Sequence, residues 1–152
     1  MHIQQLHEGW TVRATGEVDQ VPGAIRDREI AAQVPGCVYT DLLRAGLIDD
    51  PYVRCNEAEQ AWIGRTDWQY RLRFNVDDPA LQHERAELVC DGLDTVGRVE
   101  LNGREVGRFE DMHLRYIFDV KEALTTGENE LVITFDAPAI YAERWRDQLG
   151  DM

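Results

Sequence analysis

The chain has 152 residues, enough for one domain with a real core and too few for a (β/α)₈ barrel, which needs about 250. Its hydrophobic content of 43% is ordinary for a globular protein. A formal net charge of −13 repels phosphate backbones and anionic lipid, which argues against nucleic acid and membrane surfaces as partners.

The start, MHIQQLHEGW, has neither a basic segment nor an apolar one, so no signal peptide is expected. Trp10, Val12 and Ala14 alternate up to Thr15-Gly16, which predicts a first strand. A turn-rich stretch follows around Val21-Pro22-Gly23. Ile30, Ala32 and Val34 then alternate into Pro35-Gly36, a second strand closed by a breaker pair. Val38 to Arg44 has helical spacing, with Gly46 as its stop. Asp49 to Cys55 reads as loop. Asn56-Glu57-Ala58-Glu59 has the pattern of a capped helix start, with the acid three residues after the cap, and this short helix is expected to end near Gly64.

The strongest signal is Trp68 to Val76. Trp68, Tyr70, Leu72, Phe74 and Val76 point one way, and Gln69, Arg71, Arg73 and Asn75 the other. Period 2 over nine residues predicts a strand with one face on a core and one in water. Five large apolar side chains on one face need a covering layer. Most of the remaining chain also reads as strand, so that layer is expected to be a second sheet.

Asp77-Asp78-Pro79 is a turn. Leu88 to Cys90 is a short continuous apolar run, expected to be a strand buried on both sides. Asn102-Gly103 stands between Val96–Leu101 and Arg104–Phe109, the strongest short-range hairpin signal, because both turn positions require φ > 0. Arg115 to Val120 is a further strand. Asp119 and Glu122 frame a short helix that stops at Thr126-Gly127. Leu131, Ile133 and Phe135 alternate in a last strand, and Pro138 begins a helix with Ile140, Tyr141, Trp145 and Leu149 at helical spacing. About eight strands, joined by turns and a few short helices, predict an all-β antiparallel sandwich or jelly roll in a single domain over residues 1–152.

Chemistry-bearing motifs are few. His2, His7, His83 and His113 are scattered, with no metal-ligand spacing, so no metal site and no cofactor are expected. Cys37, Cys55 and Cys90 are odd in number and widely spaced, which reads as reduced thiols in a cytoplasmic protein. The chain has no serine, so no serine triad is possible. Paired carboxylates are abundant among 29 acids, and their abundance alone marks no glycosidase pair. No catalytic residue is assigned. Trp62, Asp67 and Trp68 stand out at the entrance of the long strand. Sugar C–H faces stack on indoles and carboxylates accept bonds from vicinal hydroxyls, so these three residues are candidates for a sugar-binding or interdomain surface. The alternative is that Trp68 is simply the first core residue of its strand. Trp145, set among charges, reads as docked on the sandwich or facing a neighbour.

VPGCVYTDLLRAGLIDDPY (Val34 to Tyr52), NEAEQAWIGRTDWQYRLRF (Asn56 to Phe74), DGLDTVGRVELNGREVGRFEDMHLRYIFDV (Asp91 to Val120) and GENELVITFDAP (Gly127 to Pro138) occur in the order found in one known family. From Trp10 to about Trp145 the chain resembles the N-terminal sugar-binding domain of family 2 glycoside hydrolases, and within them the β-mannosidases. The resemblance implies a galactose-binding-domain-like jelly roll. It also implies that catalysis belongs to a following barrel domain, where two glutamates work by a retaining mechanism and the acid/base follows an asparagine. Asn56-Glu57 and Asn129-Glu130 are not assigned that role. The chain stops before the GWDWGP-like segment that β-mannosidases carry soon after this point, so it is expected to be one piece of a longer protein. The implied function is a non-catalytic carbohydrate-binding domain that supports and edges the barrel's active site. Its partners would be a β-mannoside-type sugar and the barrel itself. The alternative is a free-standing carbohydrate-binding module or a protein-interaction domain with no enzyme attached.

Overall fold

A computed structural model describes residues 2–17 and 19–150. The alternating segments form the strands β1 (Thr11–Thr15), β2 (Ile30–Ala31), β3 (Asp67–Val76), β4 (Glu87–Asp91), β5 (Gly97–Leu101), β6 (Arg104–Phe109), β7 (Arg115–Asp119) and β8 (Gly127–Phe135). Short helices lie between them: α1 (Gly23–Arg26), α2 (Val38–Arg44), α3 (Asn56–Glu59) and α4 (Asp78–Leu81), with α5 (Pro138–Leu149) after the last strand. A 3₁₀ turn, Ala61–Arg65, leads into β3.

Six strands form one antiparallel sheet in the order β2-β1-β3-β8-β5-β6, and β4 pairs with β7 as a second layer. β3 is central, paired along its length with β8 from Trp68↔Phe135 to Val76↔Gly127. Its polar face is solvated and laddered with charge: Arg71 meets Glu29 and Glu130, and Arg73 meets Glu128 and Glu130. Its apolar face is covered by two different layers. Under β4 and β7 lies a cluster of Trp10, Leu72, Val99, Leu101, Phe109, Phe118, Leu131 and Ile133. Under α1, α2 and the 3₁₀ turn lies a second cluster of Val12, Ala14, Val21, Ile25, Leu42, Ile63 and Trp68. The covering layer is thus part sheet and part short helix, where the alternation of β3 alone predicts a sheet.

Close approach decides two glycines. A Cβ on Gly107 would strike the Phe118 ring, and one on Gly97 would strike the Thr134 carbonyl and the end of the Phe109 ring. β6 and β7, and β5 and β8, approach that closely only because no side chain intervenes. The hairpin at Asn102-Gly103 forms as predicted, with φ of 52° and 78°.

Several local expectations are corrected. The run Leu88 to Cys90 is not buried on both sides: Leu88 and Cys90 turn inward while Val89 is 50% exposed. Three apolar residues cannot distinguish a two-sided from a one-sided strand, and β4 sits in an outer layer covered on one face. Asn56 does not cap its helix; its Nδ2 donates to the Asp50 carbonyl, and Cys55 occupies the cap without a side-chain bond. The second strand ends at Ala31, because the Gln33 N–H is taken by the buried Asp41 carboxylate and leaves the ladder. Between Asp119 and Glu122 there is a turn and no helix. Asp119 accepts the Lys121 N–H, while the Thr125 backbone is captured by Asn129. Conversely, Gly23–Arg26 and Asp78–Leu81, read as turns, each make a single helical turn.

Candidate functional site

The entrance to β3 is built from its own sequence outward. The 3₁₀ turn throws Ile63 into the second core cluster, and Thr66, itself buried, donates its hydroxyl to the Trp62 carbonyl and closes the turn. Trp68 then enters the core as the first inward residue of β3. It is 5% exposed, and its indole N–H donates to the Ile63 carbonyl at 3.0 Å. Its ring therefore has no free face, and the reading of Trp68 as a core residue describes it. Asp67 is committed to the fold as well: Oδ1 accepts the Ala137 N–H at 2.7 Å, which fixes the chain entering α5. Its Oδ2 lies against Gly16, where a Cβ would come within 2.6 Å.

Trp62 differs from both. It packs on Trp68 at 6.1 Å between ring centroids with a 45° tilt, and it remains half-buried. It lines an open depression of about 250 Å³ together with Pro22, Gly46, Leu47, Ile48, Asp49, Glu59 and Gln60. Of the three residues singled out in the sequence, only Trp62 faces this depression. Trp68 supports it from behind and Asp67 turns toward α5.

Three elements converge here for local reasons. α2 stops at Gly46, with φ of +68°, and releases Leu47 and Ile48 toward the second cluster. α1 brings Pro22. α3 ends at Gln60, whose Nε2 donates to the Asp49 carbonyl at 2.7 Å and ties the loop to the helix. The loop from Asp50 to Arg54, which follows the lining residue Asp49 in sequence, is braced by Asp50, which accepts the Tyr52 N–H and the Asn56 carboxamide. Tyr52 is 96% exposed at its tip. Sequence reasoning missed Gln60, Leu47 and Ile48 as lining residues. The available signal was an apolar pair directly after a helix-stopping glycine.

The two Asn-Glu pairs fit no acid/base role. Asn129 is fully buried in a hydrogen-bond network, and Glu130 pairs with arginines on the solvated sheet face. Glu57 is exposed on α3. Among the described residues, no group of three His, Cys, Asp or Glu side chains is placed to hold a metal ion. Among the described residues, no helix is long and apolar enough to cross a membrane. Trp145 is 48% exposed on α5, with Tyr141 edge-on to it at 6.2 Å.

Comparison with known proteins gives this geometry a context. A family profile described as "Glycosyl hydrolase 2 galactose-binding domain-like" matches residues 10–151. "Beta-mannosidase B" of Emericella nidulans is 35% identical over 148 residues, which are 96% of this chain and 17% of that protein. "Beta-mannosidase" of Capra hircus is 34% identical over 116 residues, 76% of this chain and 13% of that protein. The crystal structure of the β-D-mannosidase from Dictyoglomus thermophilum superposes with a TM-score of 0.87 at 34% identity, covering 97% of this chain and 17% of the other. The chain thus spans less than a fifth of the length of the relatives it matches.

Proposed function

Because this chain belongs to the glycosyl hydrolase 2 galactose-binding domain-like family and corresponds to the N-terminal domain of β-mannosidase-like enzymes, we propose that its role is non-catalytic: it supports, and edges, the sugar site of a neighbouring barrel domain. The observation that carries this reading is the match of almost the whole chain to under a fifth of a β-mannosidase. The surface assigned to the contact is the Trp62 depression. Trp62 is the half-buried aromatic at a site where the other conspicuous side chains are spent on the fold. The substrate class assigned to the assembled protein is a β-mannoside-type sugar, the location cytoplasmic.

The first test is the mass of the native protein in its own cells, by immunoblot with an antibody to this domain. A band several-fold heavier than 17.5 kDa is expected. A band at 17.5 kDa would favour a free-standing carbohydrate-binding module. In the heavy protein, Trp62→Ala should lower β-mannosidase turnover or the stability of the assembled enzyme. Unchanged kinetics together with an unchanged melting temperature would remove Trp62 from the contact.

A further inference from the structure

Two residues at the entrance to β3 reach the same helix. Asp67 accepts the Ala137 N–H at 2.7 Å, on the residue just before the first turn of α5. Arg65 donates to both oxygens of Glu143, at 2.6 and 3.0 Å. The two targets lie about 9 Å apart along the helix axis. Thr66, between the two anchors, is extended, with φ of −114° and ψ of 136°. It is buried and bonds back to the Trp62 carbonyl, so Arg65 and Asp67 on either side of it project the other way. Two residues of extended backbone cover about 7 Å, and the length of the arginine side chain covers the rest. The spacing of the anchors therefore matches the spacing of their targets.

One contact leaves a helix free to pivot about it. Two contacts from the same side fix its direction and its rotation together. With Glu143 turned to the 3₁₀ turn, Tyr141 and Trp145 each stand about 200° around the helix from it. The aromatic pair is thus held on the far side, with Trp145 48% exposed. The family profile runs through residue 151, so α5 belongs to the shared domain. The 3₁₀ turn also joins this helix to the depression. It carries Trp62 on the depression and Arg65 on α5, and its Ile63 carbonyl accepts the indole N–H of Trp68, on which Trp62 packs.

We propose that Arg65 and Asp67 form a two-point clamp that fixes α5 as one unit and, through the 3₁₀ turn, holds the Trp62 wall of the depression in place. The clamp is complete within this chain and stands whether or not Trp62 meets a neighbouring domain.

The test combines amide hydrogen exchange with the ¹⁵N indole signals of this chain. Asp67→Ala should speed exchange in α5 by about tenfold or more, as expected for a lost hydrogen bond to a charged group. Glu143→Ala should speed it by about threefold or more, as for a half-exposed ion pair. Losing either anchor lets the helix pivot off the other, so the double variant should fall well short of the product of the two. Asp67→Asn keeps an acceptor oxygen and should restore most of the protection. In each alanine variant the indole signals of Trp62 and Trp68 should move, while that of Trp10, which donates to the Leu6 carbonyl, should stay. A double variant equal to the product means two independent anchors and overturns the clamp. So does Asp67→Asn proving as damaging as Asp67→Ala. Unmoved Trp62 and Trp68 signals overturn the link to the depression. Where Asp67→Ala does not fold, Glu143→Ala decides: unchanged exchange in α5 or unmoved indole signals overturn the proposal.

Discussion

Asn129 shows how much one side chain can hold. It is fully buried, accepts from the Asn102 carboxamide and the Thr125 N–H, and donates to the Thr125 and Gly127 carbonyls. Asn102 in turn donates to the Ala123 carbonyl and accepts the Glu130 N–H. Asn129→Ala leaves several buried groups without partners, each costing about 1–3 kcal/mol. The expected outcome is a loss of roughly 3 kcal/mol or more, read as a lower urea midpoint at unchanged slope. Cys90 behaves differently from the exposed Cys37 and Cys55. Burial first, and the Asp91 charge second, push its thiol up to about 11. At pH 8 about one molecule in a thousand then carries the thiolate, so a thiol reagent should modify Cys37 and Cys55 promptly and Cys90 slowly. A thiol pKa raised by folding contributes stability that is complete below the ordinary thiol pKa. That contribution is lost as pH rises through about 11, so Cys90→Ala should flatten part of the alkaline fall in stability.

At the scale of elements, α5 follows the last strand and packs on the entrance to β3. It meets the sandwich at the 3₁₀ turn, where Arg65 grips Glu143 through two bonds of 2.6 and 3.0 Å. That hydrogen-bonded pair, rather than its charge alone, holds the Glu143 carboxyl below the usual range. The contribution of such a group is present above the unfolded pKa and lost as pH falls through the lowered value. Glu143→Gln is expected to speed amide hydrogen exchange in α5 while leaving β3 and β8 unchanged, and acid should do the same to the unaltered protein. Equal acceleration throughout the sheet would show that α5 is integral to the core. Elements marked by strong local chemistry were legible in advance. β3 follows from nine alternating residues, the hairpin from Asn-Gly, and α2 and α5 from their spacing with Gly46 and Pro138. Two of the misread segments are ones where a side chain or carbonyl from a neighbouring segment took over a local bond, as Asp41 does at Gln33 and Asp50 at Asn56.

For the molecule as a whole, the question is whether two core clusters make one cooperative unit. Tyr70 joins them. Its ring packs edge-on against Phe135 at 5.7 Å, and its hydroxyl reaches the buried Asp41 carboxylate at 3.4 Å. It is packed against both clusters. Tyr70→Phe should cost about 1 kcal/mol, the worth of one net hydrogen bond. Tyr70→Ala should cost roughly 3–5 kcal/mol and separate the urea transitions seen by far-UV circular dichroism and by tryptophan fluorescence. Coincident transitions in Tyr70→Ala would show that the backbone of β3 alone couples the halves. The candidate site divides along the same line. That Trp62, Asp67 and Trp68 stand together at a strand entrance was legible, because they are close in sequence. Their roles were not. Alternation says which residues share a strand face, and so the sequence by itself determined the strands, the sandwich class and the family. Only the tertiary structure decided that Trp68 is walled in, that Asp67 is spent on Ala137, and that Trp62 meets Gln60, Leu47 and Pro22 across an open depression. Burial and hydrogen-bond partners depend on which distant segments arrive over a face, and no local period in the sequence encodes that arrival.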